Sequence, residues 1–224
     1  MKLPQVSSLT KTDWMEVRFS TYATLFIFGS AIILAVAFIT PFWLQSETIR
    51  NQKFERLGLW EACFIRITDY NHRYDRTISG CRWIFEDDLE FLLDYLEPAF
   101  FIITQILFTA GFLLLVLVCV GIVAVQQCFI IEREDYALRA LSVASALSAI
   151  SCSSAVIIFA INGTREDWMP DPQHIYLSWS FAFALVGSIL LWVAALLFYI
   201  EMQLTIKRQL GQSGNPHSSN RSRQ

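Results

Sequence analysis

The sequence predicts an all-α membrane protein, a four-helix transmembrane bundle carrying a small extracellular antiparallel β-sheet. Three observations predict it. Four long runs are almost free of charge, in a chain of 224 residues that is 54% hydrophobic and only 17% charged. One long polar segment, residues 41–98, separates the first two runs. Within it apolar and charged residues alternate around Cys63 and Cys81, the only cysteines clear of the hydrophobic runs and their immediate ends. A formal net charge of −3 leaves no polybasic footprint, so nucleic acid is not an expected partner.

Residues 1–18 are polar and read as a cytosolic N-terminus. The first span is 19–40. At 1.5 Å per residue its roughly 22 residues cover about 33 Å, enough for a hydrocarbon core of about 30 Å. Ala35-Val36-Ala37 mimics a signal-peptidase site. The run is nevertheless longer than the ~7–15 apolar residues of a signal peptide, so an uncleaved helix is expected. The second span is 99–125. Pro98 stands at its edge, where a missing backbone N–H does no harm. Residues 126–139 form a charged cytosolic turn. The third span, 140–161, is rich in Ser and Ala, and small residues let membrane helices approach closely. Residues 162–176 make a second extracellular loop. The fourth span is 177–201, and 202–224 reads as a cytosolic disordered tail of Ser, Asn, Arg and Gly.

Four spans put both termini on one side. Lys and Arg in flanking segments orient such chains, but about nine on the termini and inner turn face about eight on the two loops. The cysteines decide better. A disulfide between Cys63 and Cys81 needs an oxidising exterior, which places 41–98 outside. That bond would close a ring of about 19 residues and stabilise the fold by roughly 3 kcal/mol. A metal site is not expected, because His72 is the only histidine of the loop.

Phe54, Leu57, Leu59, Trp60, Phe64, Ile65 and Ile67 alternate with Glu55, Arg56, Glu61, Arg66 and Asp69. That alternation predicts short half-buried strands. Asn71-His72-Arg73 predicts a turn between them. Leu89, Leu92, Leu93 and Leu96 fall at helical spacing among acids, which predicts a short amphipathic helix leading into the second span.

Trp43, Gly58-Leu59-Trp60, Cys63 and Cys81, in the first loop of a four-span chain, resemble the W-GLW-C-C signature of the claudin family. This family shares a superfamily with the peripheral-myelin-type proteins. The resemblance runs from about residue 19 to 201 and includes the Pro41-Phe42-Trp43 start of the loop. It implies a left-handed four-helix bundle under an extracellular sheet, with four strands from the first loop and one from the second. It implies a plasma-membrane protein of lateral cell–cell junctions that forms or organises a paracellular barrier of the septate or tight kind. It also implies self-assembly in cis and contact with claudin-like proteins of the adjacent cell. The cysteine spacing is longer than is usual in vertebrate members, and the tail ends Arg221-Ser222-Arg223-Gln224, without the hydrophobic residue a PDZ scaffold captures. These departures are similar to the claudin-like proteins of invertebrates, which build septate junctions. An auxiliary subunit of a channel or receptor in the same membrane is the alternative function.

The individual residues divide by role. Trp43, Leu59 and Trp60 are expected to anchor the sheet at the membrane surface, where Trp is favoured, and Gly58 to allow a close backbone approach or a bulge. Trp168 and Met169 are exposed apolar candidates for contact across the cell gap, with a seat at the lipid interface as the equal alternative. Asn162 opens a glycosylation sequon, Asn162-Gly163-Thr164. Cys128, at the cytosolic end of the second span, is a candidate for S-palmitoylation, with a free buried thiol as the alternative. Cys119 and Cys152 read as packing residues. The charges after the two cysteines, Arg66 and Arg82, oppose the acidic balance of the loop, so a barrier is expected rather than a charge-selective path. Apart from Glu201 at the very end of the fourth, no span carries an acid, a base or a paired nucleophile, so no enzyme chemistry and no cofactor are expected. Membrane lipids are the remaining partner.

Overall fold

Inside a bilayer there is no water to satisfy backbone N–H and C=O groups, so an uncharged run must close its own hydrogen bonds as a helix. The computed structural model describes residues 11–47, 54–68, 77–86, 89, 98–127, 134–165, 168 and 174–213. It contains four such helices: α1 (Lys11–Ile39), α2 (Ala99–Gln127), α3 (Glu134–Asn162) and α4 (Trp179–Ser213). Each holds a segment long and apolar enough to cross a membrane: Thr21–Ile39, Ala99–Val125, Tyr136–Asn162 and Trp179–Lys207. The helices close a ring, with α1 against α2 and α4, and α3 against α2 and α4.

Three helices clearly outrun the boundaries read from hydropathy, and α1 does so at its start, beginning at Lys11 within the segment read as a polar N-terminus. α3 begins at Glu134, inside the segment read as a turn, and α4 continues to Ser213, through half of the segment read as a disordered tail. Hydropathy marks where a helix leaves hydrocarbon, not where its hydrogen bonds stop. Its 35 residues give α4 a length of roughly 52 Å, well beyond a ~30 Å core.

The Ser-rich α3 is pressed onto α2. Ser148 Oγ donates to the Gly111 carbonyl at 2.7 Å, and Ser151 Oγ donates to the Leu107 carbonyl at 2.8 Å. A methyl group on Gly111 would stand 2.5 Å from Cys152 Sγ and 3.0 Å from its backbone N. Small residues therefore meet at this seam, and hydroxyls add interhelical hydrogen bonds where the backbones come together.

A five-stranded sheet caps one end of the bundle. Its strands are β1 (Leu44–Ser46), β2 (Phe54–Leu57), β3 (Glu61–Thr68), β4 (Thr77–Trp83) and β5 (Ile175–Leu177). The order is β4-β3-β2-β1-β5, antiparallel throughout. Four strands come from the first loop, and β5 from the second loop pairs with β1. Register shifts interrupt the β2–β3 and β3–β4 ladders. The turn read at 71–73 lies outside the described residues. So does most of the amphipathic helix read around 89–96, of which Leu89 is described and buried. Buried residues of the sheet and of the helices form one continuous cluster, so the sheet is seated on the bundle and shares its core.

The α2–α3 seam generates a prediction. Gly111→Ala forces α2 and α3 apart and should cost about 1–3 kcal/mol. Gly29→Ala, where an added methyl meets nothing within 4 Å, should be neutral or mildly stabilising because Ala is the better helix former. Thermal unfolding of the purified protein in detergent reads both, and equal effects would remove the seam from the account.

Candidate functional site

The junction between sheet and bundle starts from one missing hydrogen. A helix carbonyl accepts from the N–H four residues on. Pro41 has no N–H, so the Ala37 carbonyl has no intrahelical donor. The last turn of α1 closes with Thr40 N–H to the Val36 carbonyl at 3.1 Å, and the helix stops at Ile39. Trp43 Nε1 then donates to the Ala37 carbonyl at 2.8 Å. Ser180 Oγ reaches the same oxygen at 3.3 Å.

The Trp43 ring is completely buried. Three phenylalanines meet it edge-on, one from each remaining helix. Phe108 of α2 lies at 5.2 Å between centroids, Phe159 of α3 at 4.9 Å and Phe181 of α4 at 5.8 Å. T-shaped pairs of this kind add about 0.5–1.5 kcal/mol each beyond area burial. The Trp43 backbone is used as well. Its N–H donates to the Leu57 carbonyl at 2.9 Å, and its carbonyl accepts from Ser178 N–H at 3.0 Å. One residue thus touches all four helices and ties β1 to its neighbours on both sides. Trp43 was expected at the lipid interface. It lies instead inside the bundle end, because its single donor has a helix carbonyl to satisfy there.

Gly58-Leu59-Trp60 forms the tight link from β2 to β3. A methyl on Gly58 would lie 2.5 Å from Pro41 Cα and 3.0 Å from the Thr40 carbonyl oxygen. Both are backbone atoms, so nothing there can swing away. The link is closed by Gly58 N–H donating to the Glu61 carbonyl at 2.8 Å. Leu59 is buried, and its carbonyl accepts from Gln105 Nε2 of α2 at 2.7 Å. Trp60 is half-buried. It stacks on Trp83 at 5.9 Å and meets Phe38 of α1 edge-on at 5.4 Å.

Cys63 and Cys81 stand directly opposite each other on β3 and β4 and are joined by the disulfide. Beside Cys81, Gly80 holds φ at 91°, a conformation that disfavours any side chain with a Cβ. Arg56 of β2 lies against the bridge, with Nε 3.2 Å from Cys63 Sγ. Its guanidinium also sits 4.6 Å above the Phe42 ring. Arg82 is paired with Glu86 at 3.0 Å across a partly exposed surface.

The other sequence-derived candidates do not gather here. Trp168, read as an exposed contact residue, is buried. It packs edge-on against Phe100 at 4.8 Å and lies 5.9 Å from Phe101, both at the start of α2. Large apolar area is driven out of water wherever a neighbour can cover it. Met169 and Cys128 lie outside the described residues. Asn162 ends α3, where its Nδ2 donates to the Ile158 carbonyl at 2.8 Å and Arg165 donates to its Oδ1 at 3.3 Å. Cys152 is buried at the Gly111 contact.

Sequence reasoning gave Ala37, Gln105 and Arg56 no role at this junction. Gln105 had a signal. It is the only amide side chain in the uncharged run 99–125, and a polar group inside a membrane needs a partner. Ala37 had one too, as the residue four before a proline.

The whole arrangement holds a sheet rigidly over a helix bundle. The family described as "PMP-22/EMP/MP20/Claudin tight junction" matches residues 28–200, from the second half of the first span to the last residues of the fourth. No curated protein matches the chain.

Two measurements test the junction. Trp43→Ala should cost about 3–5 kcal/mol. Trp43→Phe, which keeps an aromatic ring but leaves the Ala37 carbonyl only the longer Ser180 contact, should cost about 1–3 kcal/mol. Equal melting temperatures for Trp43→Phe and the parent would show that the hydrogen bond contributes nothing. Reduction of the disulfide should lower stability by roughly 3 kcal/mol while leaving the helical circular dichroism in place, because the helix contacts do not pass through it. Collapse of the helical signal under reductant would contradict that separation.

Proposed function

The chain belongs to the PMP-22/EMP/MP20/claudin family, and we propose that it works at cell–cell junctions, forming or organising a paracellular barrier between epithelial cells. The observation that carries this reading is the sheet itself, seated on the bundle through Trp43 and sharing its core. A barrier protein must present a surface that keeps its shape outside the membrane. A polar loop with no core of its own would not, and here the bundle supplies that core.

In this reading residues 41–98 and 162–176 face the intercellular space and both termini are cytosolic. Copies assemble side by side in the lateral plasma membrane and meet claudin-like proteins of the next cell through the sheet end. β4 and β5 are the strands at the two ends of the sheet order. A strand edge carries unpaired N–H and C=O groups suited to such contacts. Met169 and the segment beside Trp168 remain candidates for contact across the gap. Asn162 and Cys128 remain candidates for glycosylation and palmitoylation.

The charges favour sealing over selective conduction. Arg82 is neutralised by Glu86, Arg56 is turned onto the disulfide and the Phe42 ring, and the exposed Arg66 opposes the acidic balance of the loop. Ion selectivity needs unpaired charges of one sign lining a path. The departures in cysteine spacing support a septate rather than a tight junction.

Removal of the protein from an epithelium should increase the passage of a small dye between cells, with the protein concentrated at lateral contacts in the parent tissue. Normal tightness, together with absence from contacts, sinks the proposal. Stoichiometric co-purification with a channel, without assembly between apposed cells, would make it an auxiliary subunit instead.

A further inference from the structure

We propose that the Cys63–Cys81 bridge is a site of thiol–disulfide exchange, in which a low-molecular-weight thiol is captured on Cys81 and Arg56 receives the departing Cys63 thiolate. Three side chains stand in one row across three strands. Arg56 of β2 is opposite Cys63 of β3, and Cys63 is opposite Cys81 of β4. Side chains directly opposite on neighbouring strands share a face of the sheet. The guanidinium spans the bridge, with Nε 3.2 Å from Cys63 Sγ and Nη2 3.5 Å from Cys81 Sγ. The Phe42 ring holds it there from 4.6 Å, and Glu55, the carboxylate paired with it, is farther than the nearer sulfur, at 3.7 Å. Sulfur in a disulfide is a weak acceptor, so the contact is a poor brace. The cation gains a full partner only when that sulfur becomes a thiolate.

Access decides which sulfur leaves. Cys63 is completely buried, whereas Cys81 is exposed. β4 ends the sheet order, with β3 as its one neighbour among the described strands, and a methyl added at Gly80 would meet nothing within 4 Å. An attacking thiolate approaches a sulfur from the side away from the bond it breaks. For Cys81 that side is the open edge of the sheet, and for Cys63 it is the side of β2, where Arg56 stands. The thiolate of the small thiol therefore bonds to Cys81 Sγ, the Cys63–Cys81 bond breaks, and its electron pair stays on Cys63 Sγ beside the guanidinium. The proton of the incoming thiol has gone to water, and one disulfide has replaced another, so no outside oxidant is needed. A second thiolate that attacks the small-molecule sulfur completes the reduction, releasing Cys81 and a small-molecule disulfide. Exchange runs faster the better the leaving thiolate is stabilised, and an adjacent cation stabilises it. The same cation makes Cys63 a weaker nucleophile for closing the bridge again. An oxidising exterior keeps the bridge formed until a thiol arrives. That placement is part of the junction reading above, but the exchange is read on the purified protein whatever the chain does between cells.

The test uses the full chain in detergent with reduced glutathione as the probe, an acid quench, alkylation of free thiols and peptide mass spectrometry. In the parent, glutathione should be found on Cys81 and the alkyl group on Cys63, about 10-fold in excess of the reverse. Arg56→Met, which keeps the length of the side chain and removes its charge, should slow the exchange about 3- to 10-fold, and Arg56→Lys should recover most of the rate. A purely structural Arg56 gives the opposite sign, because loss of a brace loosens the strands and quickens the exchange. A melting curve confirms that each variant is folded, and the position of the adduct in the parent tests the proposal without any variant. An unchanged or faster rate in Arg56→Met overturns the proposal. So does glutathione found mainly on Cys63, and so does a parent whose bridge stays closed at a glutathione concentration that opens it in the unfolded chain.

Discussion

The hydrogen bond from the Trp43 indole to the Ala37 carbonyl is the interaction on which the rest of this structure depends. It exists because Pro41 cannot donate. A proline four residues on from a helix carbonyl leaves that oxygen bare at the end of α1, in a place that water does not reach. The chain supplies the donor two residues after the proline. Once the indole is held there, its faces and edges meet Phe108, Phe159 and Phe181, and each of the other helices gains a fixed distance to α1. The same residue begins the sheet. Its backbone is hydrogen-bonded toward β2 on one side and toward β5 on the other.

Gly58 and Gln105 extend that logic to the second half of the junction. The β2–β3 link lies against the backbone at Thr40 and Pro41, so closely that only hydrogen fits at Gly58. The carbonyl of Leu59, buried by that approach, is met by Gln105 of α2. Trp60 is then pushed outward to the edge of the bundle. The three residues of one short motif thus do three different things. Gly58 permits contact, Leu59 is buried with its backbone satisfied, and Trp60 packs between Phe38 and Trp83. Opposite them, the disulfide and Arg56 hold the strands whose outer surface is free. Rigidity on the inner face and exposure on the outer face suit the junction role proposed above.

Much of this was legible in the sequence. Four uncharged runs, each long enough for a bilayer, determine four helices, because no other backbone arrangement survives in hydrocarbon without closing into a barrel. The Ser-rich composition of the third run marks it as an inward-facing helix, and Ser148, Ser151 and Gly111 show why. The alternation around Cys63 marks strands, and the two cysteines outside the runs mark the bridge. Less legible were the ends of the helices, since hydropathy says where a helix leaves lipid and nothing about where it unwinds. α4 accordingly runs to Ser213, past the apparent boundary.

Which side chains are inside was decided only by the tertiary structure. Trp43 and Trp168 both read as surface aromatics, one at the lipid interface and one on a loop. Both are buried, because each has a set of phenylalanines from distant parts of the chain to cover it. Local sequence records that a residue is aromatic, but not what will lie within 5 Å of it after the helices close. The number of spans, the sheet and the disulfide are therefore properties of the sequence by itself, fixed by short-range chemistry and by the solvent each segment must live in. The keystone role of Trp43, the close fit at Gly58 and the stacking of Trp60 on Trp83 belong to the assembled fold, because each depends on atoms that come together only when segments far apart in the chain meet.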